Sequence, residues 1–258
     1  VGPLFGKSYR RSVLEIARHS SIIILRDTKY YEALKKIYNE FSVIFPDDSV
    51  CSSFDPAVQC AIDFSKRNNR SEQEYIAINL RSFPVEYSQK SHDINAKLLS
   101  FVKCMAEKYK CREIRLIPMH YFYIGNDDRE FLNFVKLSLF ANNINVQNTN
   151  LSLKQTMETF ANAYFNIGMR FHSVVLQTLT SGKNYIFDYT EPHKGKIIGF
   201  VNDIDIANFY RDRYVCLQTD DININMISNE TDKFHVCNEV VNSKLNIYLD
   251  MLRGLVSS

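Results

Sequence analysis

Short apolar runs alternate with amphipathic stretches along most of the chain, and the two periods predict two kinds of element. Residues 21–25 (SIIIL) are β-branched, brief and continuous, the pattern of a buried strand. YEALKKIYNEF (31–41) follows with helical spacing, and SVIF (42–45) predicts a second strand. FPDDSVCSSFDP (45–56) holds turn residues and prolines and predicts loop. SKRNNRSEQE (65–74) is polar and charged without apolar periodicity, which marks it as the linker between two domains.

Beyond that stretch the alternation becomes regular. Strands are predicted at YIAINL (75–80), EIRLIP (113–118), INVQ (144–147), YFNIG (164–168) and NYIFDY (184–189). Helices fall between them. HDINAKLLSFVKCMAEKY (92–109) spaces Ile94, Leu98, Leu99, Val102 and Met105 on one face. DDREFLNFVKLSLF (127–140) carries acids in its first turn, where the helix dipole favours them. SLKQTMETFANA (152–163) has Ser152 as N-cap, and FHSVVLQTLTSG (171–182) is stopped by Gly182. VCNEVVNSKLNIYLDMLRGLV (236–256) predicts a long terminal helix. Strand–helix alternation with short links means βαβ units and a parallel sheet, whose ligands bind outside the carboxyl ends of the strands. Three polar segments fall there: RSF (81–83), PMH (118–120) and GMRFH (168–172).

Composition narrows the function classes. Over 258 residues, Lys+Arg is 31 against Asp+Glu 29, so no overall basic field favours nucleic acid. No apolar run reaches the roughly 20 residues that span a bilayer, and VGPLFGKSYRRS at the start has no signal-peptide core, which predicts a cytoplasmic location. The six cysteines form no CxxC pair and lack zinc-ligand spacing, so reduced structural thiols and no metal are expected. Only eight glycines are present, with no GxGxxG and no GxxxxGK, against a dinucleotide or P-loop site. No nucleophile elbow is present either.

The chemistry-bearing residues gather at the predicted strand ends. Arg81 ends one strand, and Arg170 and His172 end another and open a helix, whose N-terminal N–H groups favour an anion. Arg adds a planar fork for carboxylate or phosphate, and His can bind an anion or transfer a proton. Each alone reads more readily as a satisfied structural group, but the three together at strand ends point to an anion site. Lys196 stands between a surface lysine and a second cation of that site. His120 stands between a loop cap and a ligand contact. Asp127 and Asp128 read as a helix start rather than an acid/base pair, and Glu191 and His193 sit in a loop within reach of a substrate.

Taken in order, these pieces resemble the polysaccharide pyruvyl transferases. GMRFHSVVLQTLTSGKNYIFDY…KIIGF is similar to that family's G-x-R-x-H, small-residue helix, Gly, strand, Tyr and K-x-x-G-F, here Gly168, Arg170, His172, Gly182, Tyr189, Lys196, Gly199 and Phe200. Arg26–Asp27, Asp55–Pro56, Arg81, Pro118 and Asp128 also match in order, over about residues 1–205. The resemblance implies two Rossmann-like domains of GT-B type. On this chain they would be a partial, N-terminally truncated acceptor-side domain over 1–65, and a phosphoenolpyruvate-side domain over 75–258 carrying the terminal helix. The family normally opens with further βα units and a Gly-rich segment, and TEPHKG (190–195) lengthens the interval between Tyr189 and Lys196.

The resemblance further implies transfer of pyruvate from phosphoenolpyruvate to a sugar or lipid-linked saccharide, forming a ketal, with no cofactor beyond that donor. His172 and Arg170 would be catalytic, and Arg81, Lys196, Ser173, Tyr189 and His120 would bind substrate. Partners would be the donor and the glycan, with peripheral membrane association and no nucleic acid. Two alternatives stay open: a GT-B glycosyltransferase using a nucleotide sugar, and a truncated anion-binding member without turnover. No acidic ribose-binding residue stands out for the first.

Overall fold

The computed structural model describes residues 6–67, 73–85, 91–124, 126–193 and 195–257. They divide into two compact units. The first comprises Val1–Asp55, Ile198–Ile206 and Val236–Ser258. Helix α1 (Lys7–Arg18), strand β1 (Ile23–Leu25), helix α2 (Thr28–Glu40) and strand β2 (Val50–Ser52) form its early part. β1 and β2 pair in parallel, with Ile24 opposite Cys51. Leu14, Ala17, Leu34, Ile37, Tyr38 and Val50 make its core.

In place of the predicted strand at 42–45, a turn at Phe41–Ser42 leads into irregular backbone. Ser42 takes a left-handed φ of 54°. The N–H of Val43 then donates to the carbonyl of Tyr38 at 2.9 Å, closing the end of α2. That helix terminus uses the apolar run as its cap and leaves Ile44 exposed. The partner strand lies instead at VCS, inside the stretch predicted as loop.

The second unit, Pro56–Ile197 with Ala207–His235, is the larger. Helix α3 (Pro56–Arg67) opens it with Pro56 in the first turn, where the missing N–H costs nothing. Strand β3 (Tyr75–Ile78), helix α4 (Ser91–Lys108), strand β4 (Glu113–Leu116), helix α5 (Asp128–Leu139) and strand β5 (Ile144–Val146) follow. Helix α6 (Leu153–Asn162), strand β6 (Asn166–Gly168), helix α7 (Phe171–Thr180) and strand β7 (Asn184–Asp188) come next. Helix α8 (Lys196–Ile204) carries the chain into the first unit, strand β8 (Tyr214–Cys216) returns to the second, and helix α9 (Asn238–Ser257) ends in the first. The six strands form one all-parallel sheet in the order β5-β4-β3-β6-β7-β8; the parallel sheet is as the alternation predicts, and β8 adds a strand that the sequence reading lacks. β3, β6 and β7 are buried at every position, which a parallel sheet covered on both faces requires.

The division differs from the expected 1–65 and 75–258. α3 packs on α7 and α6, which draws Pro56 onward into the second unit, while α9 packs on β2 and joins the first. The charged stretch at 65–74 is not the boundary: its start completes α3, residues 68–72 lie outside the described residues, and the Gln73 N–H donates to Asn162 O at 2.8 Å. Gly182 does stop α7, with φ 74° and its N–H on Gln177 O at 2.9 Å. Ser152 caps α6 in a capping box closed by Gln155. All six cysteines carry free thiols. Among the described residues no helix is long and apolar enough to cross a membrane.

Candidate anion site at the strand ends of the second unit

The strand order fixes where a ligand can enter. From β3 the chain steps outward to β4 and β5, then returns to β6 on the other side of β3 and proceeds to β7 and β8. β3 and β6 are neighbours, paired at Ile78 and Ile167, yet the segments that leave them diverge. Open parallel sheets bind ligands at such a switch point. Arg81 leaves β3 there, and Arg170 and His172 leave β6.

Asn79, fully buried just beyond β3, ties these ends together. Its Nδ2 donates to Ile117 O at 2.8 Å, and its Oδ1 accepts the Arg170 N–H at 2.9 Å and faces the Ser173 hydroxyl at 2.7 Å. That hydroxyl also lies 2.8 Å from Arg170 O, so it shares one proton between two acceptors. Ser173 is therefore a buried brace of the helix start and not an exposed substrate contact. Sequence reasoning missed Asn79, although an amide inside the apolar run YIAINL was the signal that could have found it.

Arg170, the N-cap residue of α7, is held by a buried carboxylate. Its Nη2 lies 2.5 Å from Asp128 Oδ1, its Nε 3.1 Å from the same oxygen, and its Nη2 also donates to Asn126 O at 3.2 Å. Asp128 Oδ2 accepts the backbone N–H groups of Met119 and His120 at 3.0 and 3.1 Å. Asp128 thus welds the segment after β4 to the start of α7. It opens α5, as its position predicts, but its larger role is to fix the Arg170 fork. Asp127 is the N-cap that the sequence suggests, accepting from Arg129, whose side chain holds the Asp127 carboxyl below its ordinary value.

Arg81 is almost fully buried. Its N–H meets Met169 Sδ at 3.4 Å, its Nε donates to Ser82 O at 3.1 Å, and its guanidinium carbon sits 5.1 Å from the centroid of the Tyr189 ring. Two other expected residues flank one ring: the His172 imidazole is edge-on to Phe171 at 5.2 Å, and the Lys196 ammonium lies 5.4 Å from the same centroid. Met169 and Phe171 are buried, so the β6–α7 turn is anchored between its polar residues, and His172 itself is exposed. The strand ends thereby bring Arg81 to Tyr189, and His172 and Lys196 to Phe171. His120 belongs to its own loop: Nε2 donates to Ile124 O at 2.7 Å and the ring packs on Phe122. Glu191 is half-buried and His193 exposed in the turn after β7. Among the described residues, no group of three His, Cys, Asp or Glu side chains is placed to hold a metal ion.

In the first unit, the two other motif pieces meet. Asp27 caps α2, its Oδ1 accepting the Tyr30 N–H at 2.9 Å. Its Oδ2 is buried against Gly199 of α8, where a Cβ would lie 2.8 Å away. Asp203, from the same helix, accepts the Thr28 N–H at 2.9 Å and the Lys244 ammonium of α9 at 2.6 Å.

A model of the family described as polysaccharide pyruvyl transferase matches residues 1–189. No curated protein matches the sequence. Among solved structures, the UDP-GlcNAc 2-epimerase of Methanocaldococcus jannaschii is 10% identical, with a TM-score of 0.53 over 93% of this chain and 62% of that one. The UDP-forming α,α-trehalose-phosphate synthase of Burkholderia vietnamiensis is 10% identical, with a TM-score of 0.51 over 98% and 64%. The α,α-trehalose 6-phosphate synthase of Burkholderia multivorans gives 10%, 0.51, 98% and 61%. The chain therefore spans less than two thirds of the structures it matches. At this identity the likeness is one of fold, the GT-B type.

Proposed function

The chain belongs to the polysaccharide pyruvyl transferase family, and from that premise we propose that the strand ends of its second unit bind phosphoenolpyruvate and pass the pyruvyl group to a glycan hydroxyl. The observation that carries this is the position of Arg81 and of Arg170 with His172 just beyond the carboxyl ends of the two adjacent strands where the strand order reverses.

In this proposal Arg81, stacked on Tyr189, and Lys196, beside Phe171, supply cationic contacts for the donor's carboxylate and phosphate. The N-terminus of α7 adds its dipole. Arg170, part-neutralised by Asp128, contributes chiefly by holding that helix start in register. His172, exposed at the second position of α7, gives a proton to the donor's methylene carbon. The adjacent carbon gains oxocarbenium character, a sugar hydroxyl adds to it and sheds its proton, and the C–O bond to phosphate breaks. A second hydroxyl then adds to the same carbon and closes a cyclic ketal. Of the two hydroxyl protons, one balances the new methyl group and the other leaves with phosphate. Preorganised cations at the developing charges and one well-placed acid are what this sequence demands. The proposed reaction runs in the cytoplasm, with a lipid-linked or polymeric glycan as acceptor.

Calorimetric titration of the full-length protein tests the ligand class. Phosphoenolpyruvate should bind, and Arg81→Ala should weaken it about 30-fold or more, as loss of a buried charged contact does. Binding of a UDP-sugar that Arg81→Ala abolishes, with none of phosphoenolpyruvate, would overturn the proposal in favour of glycosyl transfer.

A further inference from the structure

Asp188 ends β7 and is almost fully buried. Three neutral donors converge on its carboxylate. The Thr190 N–H and hydroxyl reach Oδ1 at 2.8 and 2.5 Å, and the Tyr214 hydroxyl of neighbouring β8 reaches Oδ2 at 2.7 Å. Burial, and then the Asp188 carboxylate beside it, push the Tyr214 hydroxyl above its ordinary value, which keeps it a donor. The segment after β8 grips the same turn through its backbone: Leu217 N–H donates to Asp188 O at 2.8 Å and Gln218 Nε2 to Thr190 O at 2.9 Å. Gly195 closes the far side, since a Cβ there would lie 1.5 Å from Thr190 Oγ1.

A neutral amide would be cheaper to bury than a carboxylate. It has one acceptor oxygen, however, and brings two donors of its own, so it cannot receive Thr190 and Tyr214 on opposite sides. The acid is the group that satisfies all three donors. What the turn between them presents is Tyr189, whose ring lies 5.1 Å from the guanidinium carbon of Arg81. We infer that Asp188 is a positioning residue for the donor site: by bracing the 188–190 turn from β8 it sets the Tyr189 ring, and through that ring the orientation of Arg81. The positioning effect on binding rests on the role proposed above for Arg81, but its effect on the free protein does not.

The experiment has a ligand-free and a ligand-bound arm on the full-length protein. In ligand-free protein, the Arg81 Nε–H resonance should carry a ring-current shift that Tyr189→Leu removes. Asp188→Asn should move it most of the way to the Tyr189→Leu position. Tyr214→Phe, which removes one donor to Asp188, and Gly195→Ala, which crowds Thr190, should move it in the same direction, and they replace Asp188→Asn if that variant does not fold. In the second arm Asp188→Asn should raise the phosphoenolpyruvate Kd about tenfold, between the scale of an exposed and of a desolvated cation–π contact, and add nothing in an Arg81→Ala background. A folded Asp188→Asn protein with an unshifted Arg81 resonance overturns the inference, and so does an equal loss of binding in both backgrounds. Failure of the wild-type protein to bind phosphoenolpyruvate would instead sink the proposed function and leave the resonance arm to decide the positioning.

Discussion

Two buried carboxylates, Asp27 and Asp128, each stand at the start of a helix, one in each unit, and the protein treats them differently. Asp128 has both oxygens engaged, by the Arg170 guanidinium and by two backbone N–H groups. Asp27 has one oxygen on a backbone N–H and the other turned onto a glycine. Asp27 is the N-cap of α2 and Asp128 the first residue of α5; the second is a keystone tied through both oxygens, the first a cap with one oxygen against a glycine. What separates them is a partner contributed from far along the sequence, Arg170 in one case and Gly199 in the other.

The largest consequence should appear at Asp128. Asp128→Ala removes the buried carboxylate that engages the Arg170 guanidinium, and we expect a loss of about 3–5 kcal/mol in urea unfolding. The double variant Asp128→Leu, Arg170→Met should recover much of that loss, because the guanidinium goes together with the carboxylate. A double variant as unstable as the single one would show that the pair contributes by shape alone.

At Gly199 the expected effect is smaller. Gly199→Ala places a Cβ within 2.8 Å of Asp27 Oδ2 and should cost about 1–3 kcal/mol, as overpacking does. Most of that cost should vanish in an Asp27→Ala background. An unchanged cost there would mean that the crowding lies elsewhere.

The smallest effect is one of pH. Burial, with the Asp203 carboxylate adding to it, raises the Asp27 carboxyl above its ordinary value. Folded protein then holds this proton more tightly than unfolded protein does, so the term favours folding in acid and is lost as pH rises through the folded value. Asp27→Asn keeps an acceptor for Tyr30 and carries no proton to lose. Its melting temperature relative to wild type should therefore climb between pH 4 and pH 7. A difference that stays flat or falls over that range would contradict the sign.

Much of the second unit was legible in the sequence because its strands are bounded by strong punctuation. Gly182 stops α7 by adopting a positive φ, and Ser152 with Gln155 forms a local capping box, so both are decided within a few residues. The strand at 50–52 was not legible, since three residues of VCS among turn formers carry too little pattern, and the apolar SVIF nearby was consumed by the end of α2. The unit boundary was hidden for a different reason: α9 joins the first unit through packing on β2, about two hundred residues earlier in the chain. In the site, residue types at strand ends pointed to Arg81, Arg170 and His172, but the partners of each were invisible. Nothing local says that Asn79 braces Ser173 or that Asp128 receives Arg170.

The central claim is that the strand ends of the second unit carry out pyruvyl transfer with His172 as the proton donor. Phosphate release from phosphoenolpyruvate by the full-length protein, measured over a panel of glycan acceptors with wild type and His172→Gln in parallel, addresses it most directly. Gln at this exposed position preserves a hydrogen-bonding side chain but cannot act as the acid, so acceptor-dependent phosphate release should fall by a factor on the order of 100 or more while phosphoenolpyruvate binding persists. Release by His172→Gln at the wild-type rate would contradict the assignment.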